Sequence, residues 1–404
     1  EIDIFIKFNK GVEEKILEER GIQIGIEIAK ELNAEYVIEF AEHPYVRLFL
    51  KDYQVDIVPC YKIEFGEKII SAVDRSPLHN KYLKGKIEKL SDQVRLLKQF
   101  LLANEIYGAD AKTQGFSGYL CELLILEYGT FLNLLKNAIN WIPGTIIDIE
   151  NYYSEEEKKF LKNKFRNQAL IVIDPVDKDR NVAAALSAYN FFKFKKLAKE
   201  FLENPDIKFF EKKEIKKISK EELIKTLMKR RTELILIVFN RPKKVDDIIY
   251  PQLRKFAKRI ENILEEYNFK VLKSNVYANE KLCFVVFEME IFKLPKVEIK
   301  IGPPIFDLGN SRKFVEKYKK VFVIEDRLAS EVERKFDLAI NKIRDSLEKE
   351  EKILKAKGIP SYIAEEISKW KEITNETEKI YEYVEKFEDF GKFLRKFFEV
   401  ESLF

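Results

Sequence analysis

Three acidic residues near the start of the chain have the type and spacing to hold a divalent metal ion. Glu1 and Asp3 lie in the alternating run of residues 1–6, so on a strand they would point to the same face. Asp56 lies within the apolar residues 55–58, where a carboxylate is unusual. Mg²⁺ prefers hard oxygen ligands and leaves positions open for phosphate. The pattern predicts a carboxylate metal site, in which two ions ~4 Å apart would activate a hydroxyl and stabilise leaving pyrophosphate. Alternatively, Glu1 and Asp3 only line the solvent face of an edge strand.

Further polar residues follow that could contact a nucleotide. His43 and His79 are the only histidines, and both fall in or beside the region that carries the acids. Imidazole donates to phosphate oxygens, although each could equally be an ordinary loop residue. Lys98, in the apolar-faced residues 91–106, could reach a triphosphate or belong to a solvated face. Tyr107 could present its hydroxyl nearby if the helix ends or bends before it, because nine helical residues span roughly 13 Å.

A polar segment follows the buried strand predicted at residues 170–173. Asp177 and Arg180 lie in this segment, and such a loop holds side chains rigidly. Arg180 and Asn181 carry donors that suit the polar edge of a base. The alternative is that Asp177 caps a helix. Basic groups with interleaved aromatic residues recur through the second half, which is compatible either with nucleic-acid contact or with solvated faces.

The elements that must position these residues form an α+β pattern. Strands are predicted at 1–8, 36–41, 45–50 and 53–59, with a helix at 12–32 that two glycines weaken and that could break near Gly21. Residues 61–83 are predicted to be irregular. A helical region follows, in which 120–135 forms one apolar, buried helix. The second half begins with a β-α-β-β pattern typical of a small RNA-binding sheet. Residues 302–304 are predicted to be a loop, and from 328 onward the chain is predicted to be nearly all helix.

Composition restricts the class of protein. The chain has 404 residues, enough for two to four domains, and its 73 basic and 69 acidic residues nearly balance. The three cysteines are widely spaced, which disfavours zinc, iron–sulfur and disulfide frameworks and fits a cytoplasmic location. No charge-free stretch of about 20 apolar residues is present, so we expect no membrane span. The chain begins without Met in a predicted mid-strand position, so we expect an N-terminal portion to be missing.

Several short motifs together resemble one family. They are EIDIF (1–5), AEHPYV (41–46), VDIVPCY (55–61), SAVDRSP (71–77), VRLLK (94–98), GFSGYLCELL (115–124), DPVD (174–177), RNVAA (180–184), YPQL (250–253), GP (302–303) and VERK (332–335). The sequence resembles the archaeal (class I) CCA-adding enzymes, which are tRNA nucleotidyltransferases of the DNA polymerase β-like superfamily. The resemblance covers essentially the whole chain. The family has a Gly-Ser motif upstream of the first acid that binds triphosphate, and we expect it in the missing portion.

The resemblance implies a fold, with boundaries that we take from the sequence. We expect a polymerase β-like nucleotidyltransferase domain at 1–86, a helical central domain at 87–205, and a tRNA-binding α/β body with a helical tail at 206–404. The implied function is template-independent addition of C, C and A to the 3′ end of tRNA from CTP and ATP. The implied partners are the tRNA acceptor stem and TΨC arm, recognised by shape and backbone. A homodimer is left open by the sequence.

The resemblance also implies roles for individual residues. Glu1, Asp3 and Asp56 would bind Mg²⁺, and Asp56 would accept the proton of the tRNA 3′-hydroxyl. The phosphates and ribose of the nucleotide would be contacted by His79, Lys98 and Tyr107. Secondary candidates are His43 and Ser76. The base would be contacted by Arg180. A single acid triad would have to serve both nucleotides, with the growing RNA end reshaping the base pocket at each step.

Two alternatives remain open at this point. The chain could be another member of the superfamily, such as a poly(A) polymerase or an oligoadenylate synthetase, since the spacing of the acids is shared. It could also be a non-catalytic RNA-binding scaffold, which would need the basic second half but not the acids. The presence of Glu1, Asp3 and Asp56 argues against a scaffold.

Overall fold

The computed structural model describes residues 2–40 and 43–404, and the chain forms two compact units. The first comprises residues 1–213 with 403–404, and the second comprises residues 214–402. Both combine sheets with helices, so the α+β class expected from the sequence is confirmed. Within the described ranges, no single helix is long and apolar enough to cross a membrane. The helices at 118–128 and 131–138, which are bent by 91° relative to each other, reach the length and apolar composition of a span only when they are counted together.

The first unit contains two sheets. Its elements in chain order are β1 (Ile2–Phe8), α1 (Glu14–Glu31), β2 (Glu35–Phe40), β3 (Pro44–Leu50), β4 (Tyr53–Tyr61), α2 (Arg75–Leu83), α3 (Ser91–Ala103), α4 (Gly118–Tyr128), α5 (Phe131–Ala138), β5 (Thr145–Ile147), α6 (Glu155–Lys164), β6 (Leu170–Asp174), β7 (Asp177–Asn181) and α7 (Ala188–Glu203). The first sheet has the order β1-β4-β3-β2, and the second has the order β5-β6-β7. Strand β1 is parallel to β4, whereas β4, β3 and β2 pair antiparallel.

Helix α1 runs without a break across Gly21 and Gly25, so the break considered near Gly21 does not occur. Both glycines are buried at the point where the helix lies against the first sheet. A Cβ on Gly21 would lie 2.5 Å from Cβ of Pro59, and one on Gly25 would lie 2.7 Å from Cβ of Val46. The glycines therefore permit the close approach of the helix to the strands, which outweighs their low helix propensity.

We predict that Gly25→Ala destabilises the protein although alanine is the better helix former. Its Cβ would overlap Val46, and overpacking of this kind typically costs about 1–3 kcal/mol of the free energy of unfolding. Chemical denaturation measures the change. The control is Gly309→Ala, where the new Cβ would meet only Asp307 Oδ1 at 3.9 Å. Equal stability of the two variants would contradict the packing role of Gly25.

Helix α2 occupies residues 75–83 of the segment that was predicted to be irregular, so the prediction is wrong there, whereas residues 62–71 form no helix or strand. The buried carboxylate of Asp74 accepts hydrogen bonds from the backbone amides of Tyr61 and Ser71, at 2.7 Å each. These bonds attach the start of α2 to the end of β4. They therefore fix the start of the helix that carries His79, which local sequence alone does not indicate.

The single apolar helix predicted at 120–135 is two helices. Gly129 has φ +77°, and Thr130 caps α5 by accepting from the amide of Asn133. Residues 177–181 form β7, and helix α7 begins at Ala188. The buried side chains of α3, α4, α5 and α7 share one core with those of β6. This core holds the start of α4 and the end of β6, which both carry candidate site residues.

The second unit confirms the β-α-β-β pattern but contains more strands than predicted. Its elements are α8 (Lys220–Arg230), β8 (Glu233–Asn240), α9 (Asp246–Glu265), β9 (Lys270–Ala278), β10 (Leu282–Ile291), β11 (Val297–Pro304), α10 (Leu308–Lys317), β12 (Val321–Ile324), β13 (Arg327–Glu333), α11 (Ala339–Leu347), α12 (Glu351–Ala356), α13 (Ser361–Lys369), β14 (Lys371–Thr374), α14 (Thr377–Lys386) and α15 (Glu388–Phe398). The sheets have the orders β14-β8-β10-β9 and β11-β13-β12. Residues 302–304 belong to β11, so the predicted loop there is wrong. The nearly all-helical tail predicted from 328 is also wrong at β13 and β14. Strand β13 forms a hairpin with β12 and also pairs with β11, and β14 pairs with the distant strand β8.

Candidate active site

The first sheet brings two of the three predicted metal ligands together. Asp3 on β1 and Asp56 on β4 are direct partners in the parallel register, so their side chains share one face of the sheet. Asp56 is only 6% exposed, while Asp3 is exposed. Glu1 lies outside the described residues. Two hard carboxylates side by side, one of them accessible, are a donor set that fits a divalent metal ion.

Arg47, which was not among the predicted site residues, lies beside Asp56. This arginine on β3 is the partner of Asp56 in the antiparallel register. Its Nε donates to Oδ1 of Asp56 and its Nη2 donates to Oδ2, both at 2.7 Å. This bidentate, charge-assisted pair neutralises the buried carboxylate. The sequence signal was available, since an arginine at 47 and an aspartate at 56 are directly opposite in a hairpin that turns at residues 51–52.

Asp174, at the end of β6, connects two of the predicted nucleotide contacts. It is fully buried, and its Oδ2 accepts from Nη1 of Arg180 at 2.7 Å and lies 3.0 Å from Nε2 of His79. Its Oδ1 accepts from the hydroxyl of Tyr119 at 3.2 Å and from the amide of Val176 at 3.1 Å. The imidazole of His79 also stacks on the ring of Tyr119, with centroids 3.7 Å apart. One carboxylate thus aligns side chains from α2, α4 and β7.

The charge of Asp174 is set by these contacts. Burial by itself would raise the pKa of Asp174, but the hydrogen bond and charge of His79, with the bonds from Val176 and Arg180, outweigh it and lower the pKa. Burial and the neighbouring carboxylate raise the pKa of Tyr119, so its hydroxyl stays protonated and donates. Asp174 is therefore an anion at neutral pH, and it restricts the rotamers of His79 and Arg180.

Lys98 and Tyr107 converge at the first turn of α4. Helix α3 ends at Ala103, so Tyr107 follows the helix and pairs in a β-bridge with Phe116. A Cβ on Gly118 would lie 3.2 Å from the Tyr107 hydroxyl and 3.5 Å from Nζ of Lys98. The helix N-terminus adds partial positive charge to this place, which therefore suits an anion such as phosphate.

Both groups keep the protonation state that anion binding needs. Burial would lower the pKa of Lys98, but the hydrogen bond from its Nζ to Glu122, at 3.0 Å, and the charge of Glu122 raise it. Burial raises the pKa of Tyr107, partly offset by the charge of Lys98. The ammonium and the hydroxyl are both donors at neutral pH.

We predict that Gly118→Ala raises the KM for the nucleotides that the family resemblance implies, CTP and ATP, without loss of stability. Gly118 is outside the left-handed backbone region, so alanine fits its backbone, but the new Cβ crowds Tyr107 and Lys98. Loss of one hydrogen bond to the ligand would be worth about 0.5–1.5 kcal/mol, or roughly 2- to 10-fold in KM. Initial rates at varied nucleotide concentration measure this, with Gly309→Ala as the matched substitution. An unchanged KM would contradict an anion site at Gly118.

Other candidates are engaged elsewhere. Asn181 is buried, and its amide oxygen accepts from the backbone of Val172 and Ala183 while its amide nitrogen donates to the carbonyl of Leu170. The side chain thus holds the β6–β7 turn. His43 is buried, with Nδ1 3.2 Å from the carboxylate of Glu18 on α1.

Asp177 and part of the basic second half form ion pairs. Asp177 lies in β7 and not at a helix start, and its Oδ2 accepts from Nε of Arg75 at 3.0 Å. Arg230 donates to the buried Glu288 at 2.6 Å, and Arg334 donates to Glu298 at 2.7 Å. These two arginines therefore have partners within their own unit.

Three domain families match the chain. "Nucleotidyltransferase domain" matches residues 1–79, "tRNA nucleotidyltransferase, second domain" matches 92–211, and "CCA-adding enzyme, C-terminal domain" matches 230–376. The CCA-adding enzyme of Methanocaldococcus jannaschii is 46% identical over 349 residues, which are 85% of this chain and 76% of that protein. This chain belongs to the CCA-adding enzymes. The family expected from the sequence is confirmed, and so is the polymerase β-like nucleotidyltransferase fold.

Two further CCA-adding enzymes are similar over most of the chain. That of Archaeoglobus fulgidus is 42% identical, over 78% of this chain and 69% of that protein. That of Methanosarcina mazei is 38% identical, over 86% of this chain and 76% of that protein. The expected enzyme class, a nucleotidyltransferase, is therefore confirmed, and enzymes of this superfamily generally use a divalent metal.

Proposed function

We propose that this CCA-adding enzyme adds C, C and A to the 3′ end of tRNA, without a nucleic-acid template, and that Asp3 and Asp56 are central to the reaction. The observation that carries the proposal is the register of β1 and β4, which makes these two carboxylates neighbours on one face. They would hold Mg²⁺ together with Glu1. When bound, Mg²⁺ would stabilise charge on the transferred phosphate and the leaving pyrophosphate.

The protein's own groups would bind and orient the reactants. Lys98, Tyr107 and the first turn of α4 would bind the triphosphate of CTP or ATP, and His79 would contribute a further donor. Asp56 would accept the proton of the tRNA 3′-hydroxyl as it attacks the α-phosphate in line with the departing pyrophosphate. Arg180, fixed by Asp174, would contact the base. These roles follow from the family resemblance. They are supported by the pairing of Asp3 with Asp56, by the approach of Lys98 and Tyr107 to Gly118, and by the contacts of His79 and Arg180 with Asp174.

We further propose that the partners include the acceptor stem and TΨC arm of tRNA. Boundaries near 86 and 205 would separate the catalytic, central and tRNA-binding regions. The net charge is small, +4 for 404 residues, which implies that RNA is bound by local basic surface and by shape. A cytoplasmic location and a homodimer are extensions of the same proposal.

The test uses tRNA that lacks its 3′ end, with labelled CTP or ATP. A CCA-adding enzyme incorporates C in the absence of ATP and adds a single A after two C residues. A poly(A) polymerase would ignore CTP and add a long tail of A. Failure to incorporate either nucleotide in the presence of Mg²⁺ would indicate the non-catalytic scaffold. Removal of metal with EDTA should stop incorporation, and added Mg²⁺ should restore it.

A further inference from the structure

Three charged side chains form a row across the first sheet. The register places Asp3 beside Asp56 on one side and Arg47 beside Asp56 on the other. Neighbouring strands are about 4.8 Å apart, so the three side chains project side by side from one face. Asp56 therefore has a side chain of like charge, Asp3, on one side and a side chain of opposite charge, Arg47, on the other.

Arg47 occupies both oxygens of Asp56. The two bonds are 2.7 Å each, and the side chains of Arg47 and Asp56 are 23% and 9% exposed. A buried carboxylate needs such a counter-ion in the absence of another cation. A divalent metal ion uses the same oxygen atoms, so it competes with the guanidinium for Asp56.

The surroundings offer Arg47 a second set of contacts. Its Nη2 lies 3.3 Å from the hydroxyl of Tyr45, and its guanidinium carbon lies 5.7 Å from the centroid of the Tyr45 ring. Arginine side chains stack on aromatic faces, and Arg47 is partly exposed to solvent. Arg47 therefore keeps favourable contacts with Tyr45 and water when Asp56 binds a metal ion instead.

We propose that Arg47 is an exchangeable counter-ion, which holds Asp56 in the metal-free enzyme and gives it up when a divalent metal ion binds. Arg47 is thus a positioning residue that acts through Asp56. The exchange keeps Asp56 neutralised in both states and lowers the affinity of the empty site for free metal. The inference rests on the proposed function, because it takes Asp56 to be a metal ligand.

The test measures Mn²⁺ binding to the nucleotide-free protein by electron paramagnetic resonance. Arg47→Gln should bind Mn²⁺ about tenfold more tightly than the wild type, because a competing charge-assisted, bidentate pair is removed. Arg47→Lys restores the charge but not the fork, so its affinity should fall between the two. Arg75→Gln is the matched control, since Arg75 is also 23% exposed and pairs with a carboxylate, Asp177, outside the row.

The outcomes separate this inference from the proposed function. An affinity of Arg47→Gln within twofold of the wild type, with Mn²⁺ binding that still requires Asp56, would overturn only the exchange. Mn²⁺ binding that is unaffected by Asp56→Asn would overturn the metal site itself. Nitrogen-15 NMR of the wild-type protein gives a second measurement that needs no folded Arg47→Gln variant. The Nε–H signal of Arg47 should shift on addition of Mg²⁺, and a signal that does not move would overturn the exchange.

Discussion

Asp56→Asn is expected to lower the rate of nucleotide addition by roughly a thousandfold or more, the equivalent of several kcal/mol of transition-state stabilisation. The substitution removes a charged metal ligand and the proposed proton acceptor at once. Asparagine retains the shape of the side chain and can still accept a hydrogen bond from Arg47, so the sheet should stay folded. Single-turnover incorporation from labelled CTP measures the rate.

The control for this prediction is Asp52→Asn in the same hairpin. Asp52 is exposed at the turn between β3 and β4, four residues before Asp56, so its loss removes the same formal charge without touching the row. Its rate should remain near that of the wild type, and both variants should still bind tRNA. A rate for Asp56→Asn within tenfold of the wild type would contradict a catalytic carboxylate at this position.

Asp174→Asn is expected to lower kcat/KM for both CTP and ATP by about 10- to 100-fold, as for other residues that orient contacting groups through hydrogen bonds. The substituted amide would be neutral, and with a single oxygen in place of two it could not serve His79, Arg180 and Tyr119 together. The side chains of His79 and Arg180 would then sample more rotamers, and their contacts to phosphate and base would weaken together. Steady-state kinetics with each nucleotide measure the change.

Asp177→Asn provides the comparison for Asp174. It lies in the same turn but pairs with Arg75, whereas His79 and Arg180 pair with Asp174. We expect a smaller loss of kcat/KM for this variant. Equal losses in the two variants would mean that the turn as a whole is required, and would contradict a specific alignment by Asp174.

Much of the first unit could be predicted from local patterns. The alternation around Asp3 and the apolar run around Asp56 indicated strands, and these strands are the neighbours that the metal hypothesis required. Tyr107 was predicted to present its hydroxyl near Lys98 if the helix ended before it, and the structure places both side chains at Gly118. Family motifs supplied the assignment of roles, because composition and spacing do not distinguish members of the superfamily.

The remaining features depend on contacts between distant parts of the chain. Asp174 is 95 residues from His79, so no local pattern connects them, although an acid at the end of the apolar strand β6 was a signal. Helix α2 is anchored through Asp74 to the end of β4, and local helix propensity does not reveal such a contact between separate elements. Strand β14 is short and pairs with the distant strand β8, so nothing local indicated it. Strand β13 is polar and charged, which suggested helix, although it pairs with the neighbouring strand β12 as well as with β11.

A single carboxylate site, which contains Asp3 and Asp56, should add both nucleotides. The most direct test compares the rates of CMP addition to tRNA lacking CCA and of AMP addition to tRNA ending in CC, in the wild type, Asp3→Asn and Asp56→Asn. If one site serves both reactions, each substitution should reduce the two rates by the same factor. A variant that loses CMP addition but retains AMP addition would contradict the claim.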